Sequence, residues 1–216
     1  MKDTNTLIAE LSQDVPKKST WQRAPMKFGA KLVAVLAVYG AAVQYFLGLR
    51  PDLSMQFTRP WFDFEIFLLL TLALSSVIAA VIAMYPDAYQ KPGWLKLPYA
   101  IFITLAVLVI SQLGMPLDAR MVMPESGAHA MECALCIGSV AMLPSALLFG
   151  ILRQGATVRP MQAGAFAVLA SSAIGCLTLR LSEANDSLMH LASWHYLPTL
   201  IFASAGALIG KWLLKW

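Results

Sequence analysis

Charge is scarce in this sequence. Only 13% of its 216 residues are Asp, Glu, Lys or Arg, about half the share typical of soluble domains. That deficit argues against an ordinary soluble enzyme or binding domain. Cysteine is scarce as well: three residues are too few for a disulfide framework. No Gly/Ser linker, soluble insert or clear repeat interrupts the chain. The start, MKDTNTLIAELSQDVPKK, lacks an apolar h-region, so no cleaved signal peptide is expected. The net charge of +4 does not call for direct nucleic-acid binding, because cytoplasmic loops of membrane proteins carry such an excess.

Apolar residues, by contrast, make up 58% of the chain and are gathered into long blocks. A helix needs about 20 of them to cross the hydrocarbon layer. Six blocks qualify: Gly29–Leu49, Phe62–Tyr85, Leu97–Met115, Cys133–Leu152, Met161–Leu181 and Tyr196–Leu214. Backbone polar groups in lipid need internal partners, so each block is expected to be a helix. The expected fold is an all-α integral membrane protein, a six-transmembrane-helix bundle. Residues 1–26 form a cytoplasmic tail and residues 27–216 the membrane domain.

Orientation follows from the basic residues. Lys2, Lys17, Lys18, Arg23, Lys27, Lys31, Lys91, Lys96, Arg153, Arg159, Lys211 and Lys215 fall on one side. Arg50, Arg59, Arg120 and Arg180 fall on the other. The positive-inside rule therefore places the N-terminal tail, the loops 86–96 and 153–160 and the C-terminus in the cytoplasm. All six tryptophans lie near span ends, where interfacial anchors belong. The outer loops, about 50–61, 116–132 and 182–195, hold His129, His190 and His195 together with Asp52, Asp118, Glu125, Glu132, Glu183 and Asp186.

Ionisable residues are expected to be almost absent from the span interiors. Asp63 and Glu65 are read at the outer mouth of the second span. An intramembrane charge pathway is therefore not expected, which makes a transporter the weakest reading. Pro144 lies inside the fourth span and deprives the Val140 carbonyl of its helical partner, so a kink is expected. Small residues form two ridges: Ala163, Ala167, Ser171 and Gly175 on the fifth span, and Gly206 and Gly210 on the sixth. Such ridges let helices approach closely. They hold the bundle together or, alternatively, form a homodimer contact.

Cys133 and Cys136 form CxxC at the N-terminus of the fourth span, and Cys176 lies in the outer half of the fifth. A helix N-terminus favours the reactive thiolate, while the neighbouring Glu132 opposes it. The alternative is that these thiols are small buried hydrophobes. In the tail, Leu7, Ile8, Leu11 and Val15 make one apolar stripe over Asn5–Val15. Asn5 or Thr4 can cap this short amphipathic helix, and Pro16 ends it after Asp14 and Val15. With Glu10 and Asp14 on its polar face, the helix suits a protein groove better than anionic lipid.

LIAELSQD at 7–14, Cys133 with Ile137 and Pro144, Leu152-Arg153-x-Gly155-Ala156, Pro160-x-x-Ala163-Gly164, Trp194 with Tyr196, and Gly206-Ala207-x-x-Gly210 running to Trp216 together resemble the NrsF family. The resemblance implies a bacterial inner-membrane anti-sigma factor. Its partner would be an extracytoplasmic-function sigma factor, held through the tail by Leu7, Ile8, Leu11 and Asp14, with no cofactor. Release would follow a metal or oxidative signal outside the membrane, sensed through outer-face cysteines. One of these matches Cys133. The family's second cysteine would fall in an His-Cys pair around 180–183, where this chain reads Arg180-Leu181-Ser182-Glu183. Cys136 or Cys176 is left for that role, or the signal differs. The alternative function is a quinone-linked thiol oxidoreductase using Cys133 and Cys136, although such enzymes usually pass electrons through a second cysteine pair. Reporter fusions near Asp118 and Glu183 should read as periplasmic and fusions at Trp216 as cytoplasmic. A periplasmic C-terminus would overturn the orientation.

Overall fold

The computed structural model describes residues 3–4, 25–113 and 130–215. The expected tail helix, with Leu7, Ile8, Leu11 and Asp14, lies outside the described residues. Among the described residues there is no strand, and six helices are long and apolar enough to cross a membrane. These are α1 (Pro25–Leu47), α2 (Pro60–Ala83), α3 (Pro92–Leu113), α4 (Ala130–Leu152), α5 (Pro160–Ser182) and α6 (Leu188–Leu213). Proline is the first residue of α1, α2, α3 and α5. It fits there because the first turn has no use for its missing N–H. Large apolar side chains such as Val38, Phe46, Ile103, Met142 and Trp212 point outward, as lipid-facing positions require.

All six helices start before their apolar blocks, two of them by five residues or more. α3 begins at Pro92, so Trp94 and Lys96 belong to its first turns rather than to a loop. α6 begins at Leu188 instead of Tyr196. It opens with one α-turn, Leu188–His190, and a π-helical segment, Leu191–Tyr196, before regular helix from Leu197.

Helix α5 is the centre of the bundle. It packs against α1, α2, α4 and α6, and 78% of its apolar stretch is buried, against 11% for α1. Its small residues explain the close approach. A Cβ on Gly164 would lie 2.8 Å from the Cα of Gly210, and one on Gly206 would lie 2.7 Å from the Gly164 carbonyl oxygen. About three turns further along α5, a Cβ on Gly175 would meet the Ile137 carbonyl of α4 at 2.9 Å. The small-residue ridges are therefore occupied within one chain, with Ala163, Ala167 and Ser171 fully buried.

The carbonyl freed by Pro144 does find a partner. The Tyr39 hydroxyl of α1 donates to Val140 O at 2.8 Å, which ties α1 to the proline-bearing helix. At the other end of α1, Gly48 adopts φ +77° and closes the helix, a conformation open to glycine at little cost. Ser182 Oγ then donates to the Gly48 carbonyl, and Arg50 N to Leu181 O. The ends of α1 and α5 are thereby joined.

Gly206→Ala should destabilise the bundle by about 1–3 kcal/mol, since neither backbone can retreat. Gly150→Ala, at a position with open space, should not. Denaturant titration of the protein in micelles distinguishes the two.

Candidate functional site

The end of the bundle where α1 and α5 meet carries two adjoining polar constellations. The first is built around Arg180, in the last turn of α5 and only 1% exposed. Its Nε donates to both Glu65 oxygens at 3.1 Å, and its Nη1 donates to Asp186 Oδ1 at 2.7 Å. Arg50 reaches the same carboxylate with Nη1 and Nη2 at 2.9 and 3.0 Å, and forks onto Asp52 at 2.7 and 2.9 Å. Gln56 donates to Asp52 and Asp186. The Tyr196 hydroxyl of α6 donates to Glu65. Phe62 lies between the two guanidinium groups, 5.8 Å from Arg50 and 5.0 Å from Arg180.

This network corrects the expectation of a charge-free interior. Glu65 is fully buried one turn into α2, and Arg180, in the last turn of α5, is buried as well. Hydropathy places both charges near span ends and does not reveal that they are buried. Each is buried together with a partner distant in sequence. Hydrogen bonds from Arg50 and then Gln56 hold the Asp52 carboxyl well below the usual carboxylate range. Burial pushes Asp186 up, but Arg50 and Arg180 outweigh it and leave it below its ordinary value.

The second constellation joins Cys133 of α4 to Glu183, His190 and His195. The Cys133 thiol donates to Glu183 Oε2 at 3.4 Å, and its sulfur lies 3.4 Å from His190 Nε2. Glu183 Oε1 is 3.1 Å from His190 Nε2, and Oε2 is 3.1 Å from His195 Nε2. One donor atom from each residue lies within 4.8 Å of all the others. Cys133, His190 and His195 are buried, while the Glu183 side chain is 22% exposed and reaches solvent. Burial pushes the Glu183 carboxyl up. The His195 hydrogen bond, the two imidazoles and the Cys133 thiol outweigh that and set it below its usual value.

The π-helical segment explains how the histidines meet. Five residues along a regular α-helix turn a side chain about 140° away. The i→i+5 pattern of a π-helix brings residues five apart over one another. His190 and His195 accordingly face each other edge-to-face at 5.3 Å.

The sequence profile for "Negative regulator of sigma F" matches residues 11–216. The chain belongs to the NrsF family. Neither a curated protein nor a solved structure matches it. A member of this family is a negative regulator with a sigma factor as its partner; the family is one of regulators, not of enzymes. The six spans make this member a multi-pass membrane protein.

The three cysteines singled out from the sequence lie toward the same end as the polar constellations, but in different settings. All carry free thiols. Cys133 sits beneath Glu183 and His190 and not at an open interface, and Cys136 is the most exposed of the three. Cys176 is fully buried, with its sulfur 3.9 Å from His195 Nδ1. Glu183, His190 and His195 were legible only as outer-loop polar residues. Two of the chain's three histidines falling in one short segment was the signal available. Glu183 lies in the stretch where the family resemblance implies a cysteine.

Carboxylates with depressed folded-state values stabilise the fold above their unfolded value, about 3.9 for Asp. That stability is lost as pH falls further, toward the folded value. Thermal unfolding in micelles should therefore show a falling Tm below about pH 4. Asp186→Asn should flatten this dependence. It should also cost about 3–5 kcal/mol at neutral pH, because it leaves two buried guanidinium groups short of a partner.

Proposed function

We propose that this chain is an inner-membrane anti-sigma factor for an extracytoplasmic-function sigma factor. Residues 1–26 hold the sigma factor, and residues 27–216 anchor and control that tail. The observation that carries the reading is the family match, which begins inside the tail at residue 11 and runs to the last residue. The lysine-rich end, where α1 starts, faces the cytoplasm, and the end bearing Cys133 faces the periplasm. A metal or oxidative signal is sensed around Cys133, with Cys136 and Cys176 nearby. The contacts of Cys133 with Glu183 and His190 support this, because a change at the thiol is felt at once by the turn joining α5 to α6. Homodimerisation through the small-residue faces has no part in the proposal, since those faces are filled within the chain.

Leu7, Ile8 and Leu11 supply the apolar contact with sigma, and Asp14 supports it. A Leu docked on a partner contributes about 1.5–3 kcal/mol. Leu7→Asp with Leu11→Asp should then weaken the complex by two to four orders of magnitude, on the order of 3–6 kcal/mol. The regulon should switch on without a signal while membrane insertion is unchanged. Lys17→Ala with Lys18→Ala should do far less, as exposed charges contribute little. The check is a pull-down of the sigma factor beside a regulon reporter. Retention of sigma by the double Asp variant would move the binding site to the loops around Lys91 and Arg153.

A further inference from the structure

We propose that Cys133, Glu183, His190 and His195 form a mononuclear site for a borderline-soft divalent cation of the Zn2+ class. The donor set is one sulfur, one carboxylate oxygen and two imidazole nitrogens. Such a mixture suits zinc and its chemical relatives. It does not suit Mg2+ or Ca2+, which take oxygen ligands.

The spacing agrees with tetrahedral coordination. At metal–ligand distances of about 2.0–2.3 Å, a tetrahedron has edges of about 3.3–3.8 Å. Four of the six separations are short, at 3.1 Å from Glu183 Oε1 to His190 Nε2 and from Oε2 to His195 Nε2, and 3.4 Å for Cys133 to Glu183 and His190, and all four residues offer donors within 4.8 Å of one another. Small side-chain rotations convert these into ligand edges. Charge also balances. Cys133–SH releases its proton to solvent as the sulfur–metal bond forms. Thiolate and carboxylate together then neutralise the dication, and both imidazoles bind as neutral ligands. Glu183, the partly exposed member, is the point of approach from solvent.

Two independent features support a built site over a chance cluster. The π-helical segment Leu191–Tyr196 interrupts a membrane helix at the place that brings His190 and His195 together, and π-segments concentrate at functional sites. His195 is also oriented from behind. Its Nε2 faces the cluster while its Nδ1 faces the Cys176 sulfur at 3.9 Å. Fixing the far nitrogen of a ligand histidine in this way sets the ring for coordination. Cys176 is thus a positioning residue. Coordination would clamp the first turn of α4 to the turn between α5 and α6. The site rests on the proposed sensing role of Cys133 and deepens it, while its binding of metal does not require that the tail hold sigma.

The test uses the full-length protein purified in detergent and titrated with Co2+. About one ion per chain should bind, with the visible absorption of tetrahedral Co2+ and a thiolate-to-cobalt charge-transfer band, and Zn2+ should displace it. Cys133→Ser should abolish the charge-transfer band. His190→Ala and Glu183→Gln should each weaken binding by about 100-fold or more. Cys136→Ser should leave the spectrum intact. Cys176→Ala should keep the charge-transfer band and weaken binding by about 10–100-fold. X-ray absorption of the Zn2+-loaded wild-type chain covers the case of variants that fail to fold. It should show one sulfur and three nitrogen or oxygen neighbours. An all-oxygen sphere, a band that survives Cys133→Ser, or no binding by the folded wild-type protein would overturn the site. A sigma pull-down on the same preparation keeps the two readings apart. Binding of Co2+ without sigma defeats only the anti-sigma reading, and the reverse defeats only the metal site.

Discussion

The fork of Arg180 onto Glu65 and Asp186 is the interaction on which the site end of the bundle depends. A guanidinium buried without partners would cost several kcal/mol, so the fold has to bring two carboxylates to it. Glu65 comes from α2 and Asp186 from the turn after α5. Arg50 binds the other side of Asp186 and thereby fixes the loop after α1. Tyr196 brings α6 onto Glu65. One buried cation thus determines how α2, α5 and α6 meet at this end, and where the turn carrying Glu183 must run.

The cysteine–histidine cluster inherits its geometry from that arrangement. Glu183 and Asp186 share one short turn, and His195 and Tyr196 are consecutive residues with opposite allegiances. His195 faces Cys133 and Glu183, while Tyr196 faces Glu65 and Arg180. Anything that pulls on the cluster therefore pulls on the ionic network through adjacent backbone. The two constellations are mechanically one unit, held by a π-helical segment that a regular helix could not replace.

The length of α1 separates this unit from the Pro25 end of that helix. α1 enters at the lysine-rich end and delivers Gly48 and Arg50 to the site end, about 34 Å away for 23 residues. Coupling between the two ends has to travel along helices. α5, packed by glycine and alanine contacts on several sides, is a rigid strut. α4 has a weaker ladder at Pro144, patched by the Tyr39 hydroxyl. It also carries Cys133 in its first turn.

Span number, helical class and the asymmetry of Lys and Arg were legible in the sequence, because hydrophobic length and loop charge are local properties. The orphaned Val140 carbonyl and the small-residue ridges were legible for the same reason. A proline removes a donor wherever it stands, and glycine leaves room wherever it packs. The tertiary structure alone decided which residues those features meet. Tyr39 lies 101 positions from Val140, and Glu65 lies 115 from Arg180. A lone charge near a span end reads as interfacial until its partner is found. His190 and His195 read as loop residues because the apolar block starts only at Tyr196, and a spacing of five matches no face of a regular helix. Their meeting depends on a π-helical backbone, and that backbone is set by packing at the mouth of the bundle and not by the preferences of the residues themselves.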